Sequence, residues 1–151
     1  RQNRAARSGQ KFSGSIESTS AEVLIVEDEI FLALDLEFQL LELGLVVVGM
    51  ADHTTGALAL AQMHTPDLAF VDLNLKDGLT GPQIAHRLAN DHHISVVFMT
   101  GNPEQIPPDF AGAIGAVAKP YEPDTLGQVV DFATAYIQRG PGEPLPTPPT
   151  R

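Results

Sequence analysis

Apolar residues along this chain gather into short β-branched runs separated by stretches of helical period, and the runs tend to end in polar residues. The clearest is Leu68 to Val71, entered through Pro66 and Asp67 and closed by Asp72. Such a run reads as a strand buried on both faces, where a carboxylate has no cheap place. Asp72 is therefore expected at the strand's C-terminal end, the end at which open parallel α/β sheets bind ligands.

The rest of the chain follows the same alternation. Val23 to Val26 predicts a first strand, stopping at Glu27, Asp28 and Glu29. From Ile30 the period becomes helical, with Ile30, Leu34, Phe38 and Leu41 as the apolar stripe and Gly44 as the C-terminal cap. Val46 to Met50 predicts the second strand. The second helix is expected to be capped by Asp52 or Thr54 and to pack through Leu58, Ala61 and Met63.

After Asp72, the segment from Asn74 to Gly81 has loop chemistry, and a third helix runs from about Pro82 to about Asp91 on Ile84, Ala85 and Leu88. Ser95 to Thr100 predicts the fourth strand. Pro103, Pro107, Pro108, Gly112 and Gly115 then leave little room for a regular helix. Ala116 to Ala118 predicts a short fifth strand closed by Lys119 and Pro120, and Leu126, Val129, Val130, Ala133 and Ile137 pattern the last helix.

Five strands alternating with five helical segments, the fourth irregular, predict an α/β protein with a five-stranded parallel sheet covered on both faces. This is a three-layer (βα)₅ sandwich. In the flavodoxin-like strand order 2-1-3-4-5, strands one and three are neighbours, and Glu27, Asp28 and Asp72 meet in one crevice. Thr100 and Lys119, at the ends of strands four and five, fall on the same edge. Residues 1–21 and 140–151 lack any such pattern and are expected to be flexible tails, the second rich in proline, around a domain spanning residues 22–139.

Composition narrows the chemistry. With 151 residues, one domain with a sizeable core is expected. The absence of cysteine excludes disulfides and thiolate-ligated metals, and fits a cytoplasmic location. The net charge is -10, and from Glu22 to Arg139 the only cations are Lys76, Arg87, Lys119 and Arg139. An acidic surface of this kind argues against nucleic acid and anionic membrane as partners. No apolar stretch approaches the roughly 20 residues of a membrane span.

Three carboxylates in one crevice repel one another unless a cation sits among them. Oxygen ligands alone, with no histidine at a strand end, ask for Mg²⁺ and disfavour zinc. His53, His64, His86, His92 and His93 read as surface or helix-end residues. A carboxylate nucleophile, a metal, a hydroxyl from Thr100 and an ammonium from Lys119 together fit phosphoryl transfer.

Four segments in register, VLIVEDE, FVDLNLKDGLTG, VVFMTG and AKP, give the region from Glu22 to about Arg139 a family resemblance. It resembles the receiver domain of a two-component response regulator or hybrid sensor kinase. The resemblance implies that Asp72 accepts a phosphoryl group from a histidine kinase or phosphotransfer protein. Asp28, Asp72 and the backbone carbonyl of Asn74 would bind Mg²⁺, with Glu27 acting through metal-bound water. Thr100 and Lys119 would each contact a phosphoryl oxygen, and the Lys119–Pro120 bond would be cis.

Signalling to an unidentified downstream protein is implied as well, and a homodimer stays open. Two departures stand out: Ala116 occupies the place where many receivers carry a Tyr or Phe, and the proline-broken segment from Pro103 to Gly112 replaces a regular fourth helix. The competing readings are a receiver-like binding module that is never phosphorylated, and a small phosphatase or phosphotransferase with an Asp nucleophile. Such enzymes usually carry a second Asp two residues after the nucleophile, where this chain has Asn74.

Overall fold

A computed structural model describes residues 20–139, so the two expected tails lie outside the described residues apart from Ser20 and Ala21. The strands are β1 (Glu22–Val26), β2 (Val46–Ala51), β3 (Leu68–Asp72), β4 (Ser95–Thr100) and β5 (Gly115–Ala118). All neighbouring pairs are parallel, in the order β2-β1-β3-β4-β5. The helices are α1 (Ile30–Glu42), α2 (Thr54–His64), α3 (Gly81–Asp91) and α4 (Pro123–Gln138).

Alternating side chains of the central strands feed two cores, one on each side of the sheet. Val23, Ile25, Leu68, Phe70, Val97 and Met99 pack with Leu36 and Leu40 of α1 and Leu126, Val129 and Ala133 of α4. Leu24, Val26, Ala69, Val71, Val96 and Phe98 pack on the other face with Ala57 and Ala61 of α2 and Ile84, Ala85 and Leu88 of α3. The three-layer sandwich is thus as expected. Because every residue of β3 is buried, Asp72 has only the sheet's C-terminal edge on which to expose a carboxylate oxygen.

Helix α1 corrects the sequence reading. Ile30, Leu34, Phe38 and Leu41, the expected inward stripe, are instead exposed, at 57%, 47%, 61% and 63%. The buried face consists of Ala33, Leu36 and Leu40. A helix this rich in leucine offers two apolar stripes, and the smaller, interrupted one fits against the sheet. Its C-terminus does end as expected: Gly44 N–H bonds Leu41 O and Leu45 N–H bonds Leu40 O, a Schellman motif with Gly44 at φ +92°.

Helix α2 differs in two details. Its cap is His53, whose Nε2 accepts from Gly56 N–H at 3.2 Å while Nδ1 lies 2.8 Å from Asp52 Oδ1. That pairing assigns the proton to Nδ1. Met63, expected to pack down, is 71% exposed. Between β4 and β5 the chain makes only two 3₁₀ turns, Pro103–Gln105 and Phe110–Gly112, in keeping with its prolines. No helix among the described residues is long and apolar enough to cross a membrane.

Candidate functional site

The C-terminal ends of β1, β3, β4 and β5 bring the expected residues to one edge. In-register pairing sets Asp72 beside Met99, one residue before Thr100, and Thr100 beside Ala118, one residue before Lys119. The Lys119 backbone N–H then bonds Thr100 O at 2.8 Å, extending the ladder to the lysine itself. The Lys119–Pro120 bond is cis.

Glu27, Asp28 and Asp72 each offer a carboxylate oxygen, and these oxygens lie within 4.8 Å of one another. Lys119 reaches into this cluster: its Nζ donates to Asp72 Oδ2 at 2.8 Å and to Glu27 Oε1 at 3.1 Å. Glu27 Oε2 accepts the Glu29 N–H at 3.1 Å, and Asp72 Oδ1 accepts the Asn74 N–H at 3.3 Å. Glu27, Asp72 and Thr100 are buried, while Asp28 is half-buried and Glu29 and Asn74 are exposed.

Burial pushes the Glu27 carboxyl above its ordinary range, against the pull of the Glu29 amide and the Lys119 ammonium; the Asp72 charge adds to the upward shift. Burial works to lower Lys119, but its bonds to Asp72 and Glu27 prevail and the ammonium is held above its ordinary value. Next to it, burial and then the Asp35 charge push the Tyr121 phenol up to about 12.

Three carboxylates facing one ammonium leave a negative balance at this edge. An all-oxygen set with a half-open position suits a hard divalent cation such as Mg²⁺. Thr100 Oγ1 accepts the Asn102 N–H at 2.8 Å. A hydroxyl so engaged keeps its own proton for a ligand oxygen. The arrangement can therefore hold a cation on the acidic side and anionic oxygens between Thr100 and Lys119.

Several contributors carried no signal in the sequence. Gly81 lies so close to the end of β3 that a Cβ there would stand 2.2 Å from Asp72 O and 2.5 Å from Leu73 Cα. It reads in the sequence as one more loop glycine. Asp77 anchors the loop after Asp72 by accepting the Thr54 N–H at 3.0 Å and the Thr80 hydroxyl at 2.7 Å. These bonds, Thr54's first, hold its carboxyl well below the usual carboxylate range.

Gln105 Oε1 accepts from Asn74 Nδ2 at 2.9 Å, linking loops 31 residues apart. At position 116 the structure has only the alanine methyl, partly buried at the margin of the second core. The histidines stay outside the cluster.

Comparison with known proteins agrees with this picture. Residues 23–131 match the family model described as response regulator receiver domain. The phyllosphere-induced regulator PhyR of Methylorubrum extorquens is 31% identical over 121 residues, which are 79% of this chain and 45% of the relative. The transcriptional regulatory protein PdtaR of Mycobacterium tuberculosis is 30% identical over 119 residues, covering 78% of this chain and 57% of the relative. The chain thus spans about half the length of the curated relatives it matches. The solution structure of the PhyR receiver domain from Erythrobacter litoralis superposes with a TM-score of 0.74 at 26% identity, over 82% of this chain and 97% of that one.

Proposed function

Since the chain belongs to the response regulator receiver domain family, we propose that it is a signalling phospho-acceptor, taking a phosphoryl group onto Asp72 from a histidine kinase or phosphotransfer protein. The observation that carries the reading is the convergence of Asp28, Asp72, Thr100 and Lys119 from four strand ends, with Lys119 Nζ 2.8 Å from Asp72 Oδ2. A carboxylate oxygen of Asp72 attacks phosphorus, the bond from phosphorus to the donor imidazole nitrogen breaks, and that nitrogen leaves with the electron pair. The product is an acyl phosphate on Asp72.

Lys119 takes up the charge of one phosphoryl oxygen, and the Thr100 hydroxyl donates to another. Mg²⁺, held by Asp28, Asp72 and the Asn74 backbone carbonyl with Glu27 acting through water, would neutralise charge on the transferred group. Hydrolysis resets the domain. The domain then acts by changing its affinity for a downstream protein, in a cytoplasmic setting that the absence of cysteine supports.

Beryllium trifluoride with Mg²⁺ tests the site without covalent chemistry, as a stand-in for the phosphoryl group. Amide spectra should shift at Asn74, Gly101 and Lys119 in the parent protein and stay unchanged in Asp72→Asn. Shifts that persist in Asp72→Asn, or none in the parent, would contradict the assignment.

A further inference from the structure

The segment after β4 is fastened to the site at both ends. At its start the Asn102 N–H donates to Thr100 Oγ1 at 2.8 Å. At its end Gln105, closing the Pro103–Gln105 turn, accepts from the Asn74 carboxamide at 2.9 Å. Asn74 in turn donates its backbone N–H to Asp72 Oδ1 at 3.3 Å. Bonded groups therefore run from the Asp72 carboxylate through Asn74 to Gln105, and the turn leads back to Thr100.

Both fastenings use groups that a phosphoryl oxygen would engage or crowd, namely the Thr100 hydroxyl and the loop at Asn74. Asp72 and Thr100 are buried, whereas Asn74 and Gln105 are exposed, so this pair stands at the solvent side of the site. Beyond it, Ile106, like Ala113 and Ala116, is partly buried against the second core. The turn contacts the site through polar groups, the Asn102 N–H and the Gln105 carboxamide.

We infer that Gln105 is a positioning residue: by engaging the Asn74 carboxamide it holds the Pro103–Gln105 turn across the mouth of the site and prolongs the life of the acyl phosphate. The inference rests on the function proposed above. In hydrolysis a water oxygen forms a new bond to phosphorus and the bond from phosphorus to the Asp72 oxygen breaks. The carboxylate leaves with the electron pair, and the water's protons remain with inorganic phosphate and solvent. With the contact intact, the turn and the engaged carboxamide limit water's approach; without it, both are released. Loss of one hydrogen bond of this kind should speed decay roughly three- to tenfold.

The test phosphorylates the full chain with acetyl phosphate and Mg²⁺, removes the donor, and follows decay of the phosphorylated species by intact mass. Gln105→Met keeps the length and lacks the acceptor, Gln105→Glu keeps an acceptor oxygen, and Asn74→Ala is measured with and without Gln105→Met. Since both positions are exposed, the fold should be retained. Faster decay in Gln105→Met, decay near the parent rate in Gln105→Glu, and a double variant no faster than Asn74→Ala are the expected results. Decay of Gln105→Met within about twofold of the parent, or effects that multiply in the double variant, would overturn the inference alone. A parent protein that takes up no phosphoryl group would overturn the proposed function, and the inference with it.

Discussion

Lys119 Nζ lies 2.8 Å from Asp72 Oδ2, although 47 residues separate the two in sequence. The contact exists because β3, β4 and β5 are parallel and in register, so that the ends of β3 and β5 reach the same edge on either side of β4. A buried carboxylate is thereby paired with an ammonium, and the same ammonium also serves Glu27.

This pairing sets an alkaline limit on stability. Lys119 is held above its ordinary value by Asp72 and Glu27 against the effect of burial, so its contribution is complete below 10.5, the unfolded value. It is lost as pH rises through the folded value. Tyr121, pushed up by burial to about 12 from 10.0, loses stability in the same direction, because the unfolded phenol ionises first. The thermal midpoint should fall above pH 10, and Tyr121→Phe should make that fall shallower. An identical alkaline profile for Tyr121→Phe would contradict the assignment.

A second prediction concerns the cation. Mg²⁺ binding to the folded state alone should raise stability by about 1.4 kcal/mol for each tenfold increase in concentration above its Kd. Asp28→Asn removes one of the three carboxylates and should abolish the rise, which thermal melts in a Mg²⁺ series would read. A rise of equal size in Asp28→Asn would place the ion elsewhere.

Helix α1 supplies a packing prediction against the more obvious stripe. Leu36 is 1% exposed, whereas Phe38 is 61% exposed. Leu36→Ala should cost about 2–5 kcal/mol, and Phe38→Ala should stay within about 0.5 kcal/mol of the parent. Chemical denaturation measures both. The reverse order would restore the inward stripe that the spacing suggests.

Gly81 should tolerate no side chain. A Cβ 2.2 Å from Asp72 O must displace either the start of α3 or the end of β3. Gly81→Ala is expected to lower stability by more than about 1 kcal/mol and to slow phosphoryl uptake at Asp72. Gly101→Ala, with nothing within 4 Å of its Cβ, is the control. Equal uptake by the two variants would remove the significance of that close approach.

The strand ends were legible in the sequence because burial there is all or none. β3 reads as an unbroken apolar run, and Asp72 can stand nowhere but at its end. The irregular stretch before β5 was legible through its prolines. The face of α1 was not, because apolar residues occupy both sides of the helix and only the sheet decides which side fits. Gln105 and Gly81 carry no signal in the sequence for another reason. Their importance lies in what stands opposite them in space, and neither residue type nor local period records that.

The most direct test of the account is the intact mass of the protein after incubation with acetyl phosphate and Mg²⁺. The parent should gain about 80 Da, one phosphoryl group, and Asp72→Asn should gain nothing. A gain that survives Asp72→Asn, or no gain in the parent, would contradict the assignment of Asp72 as the phospho-acceptor.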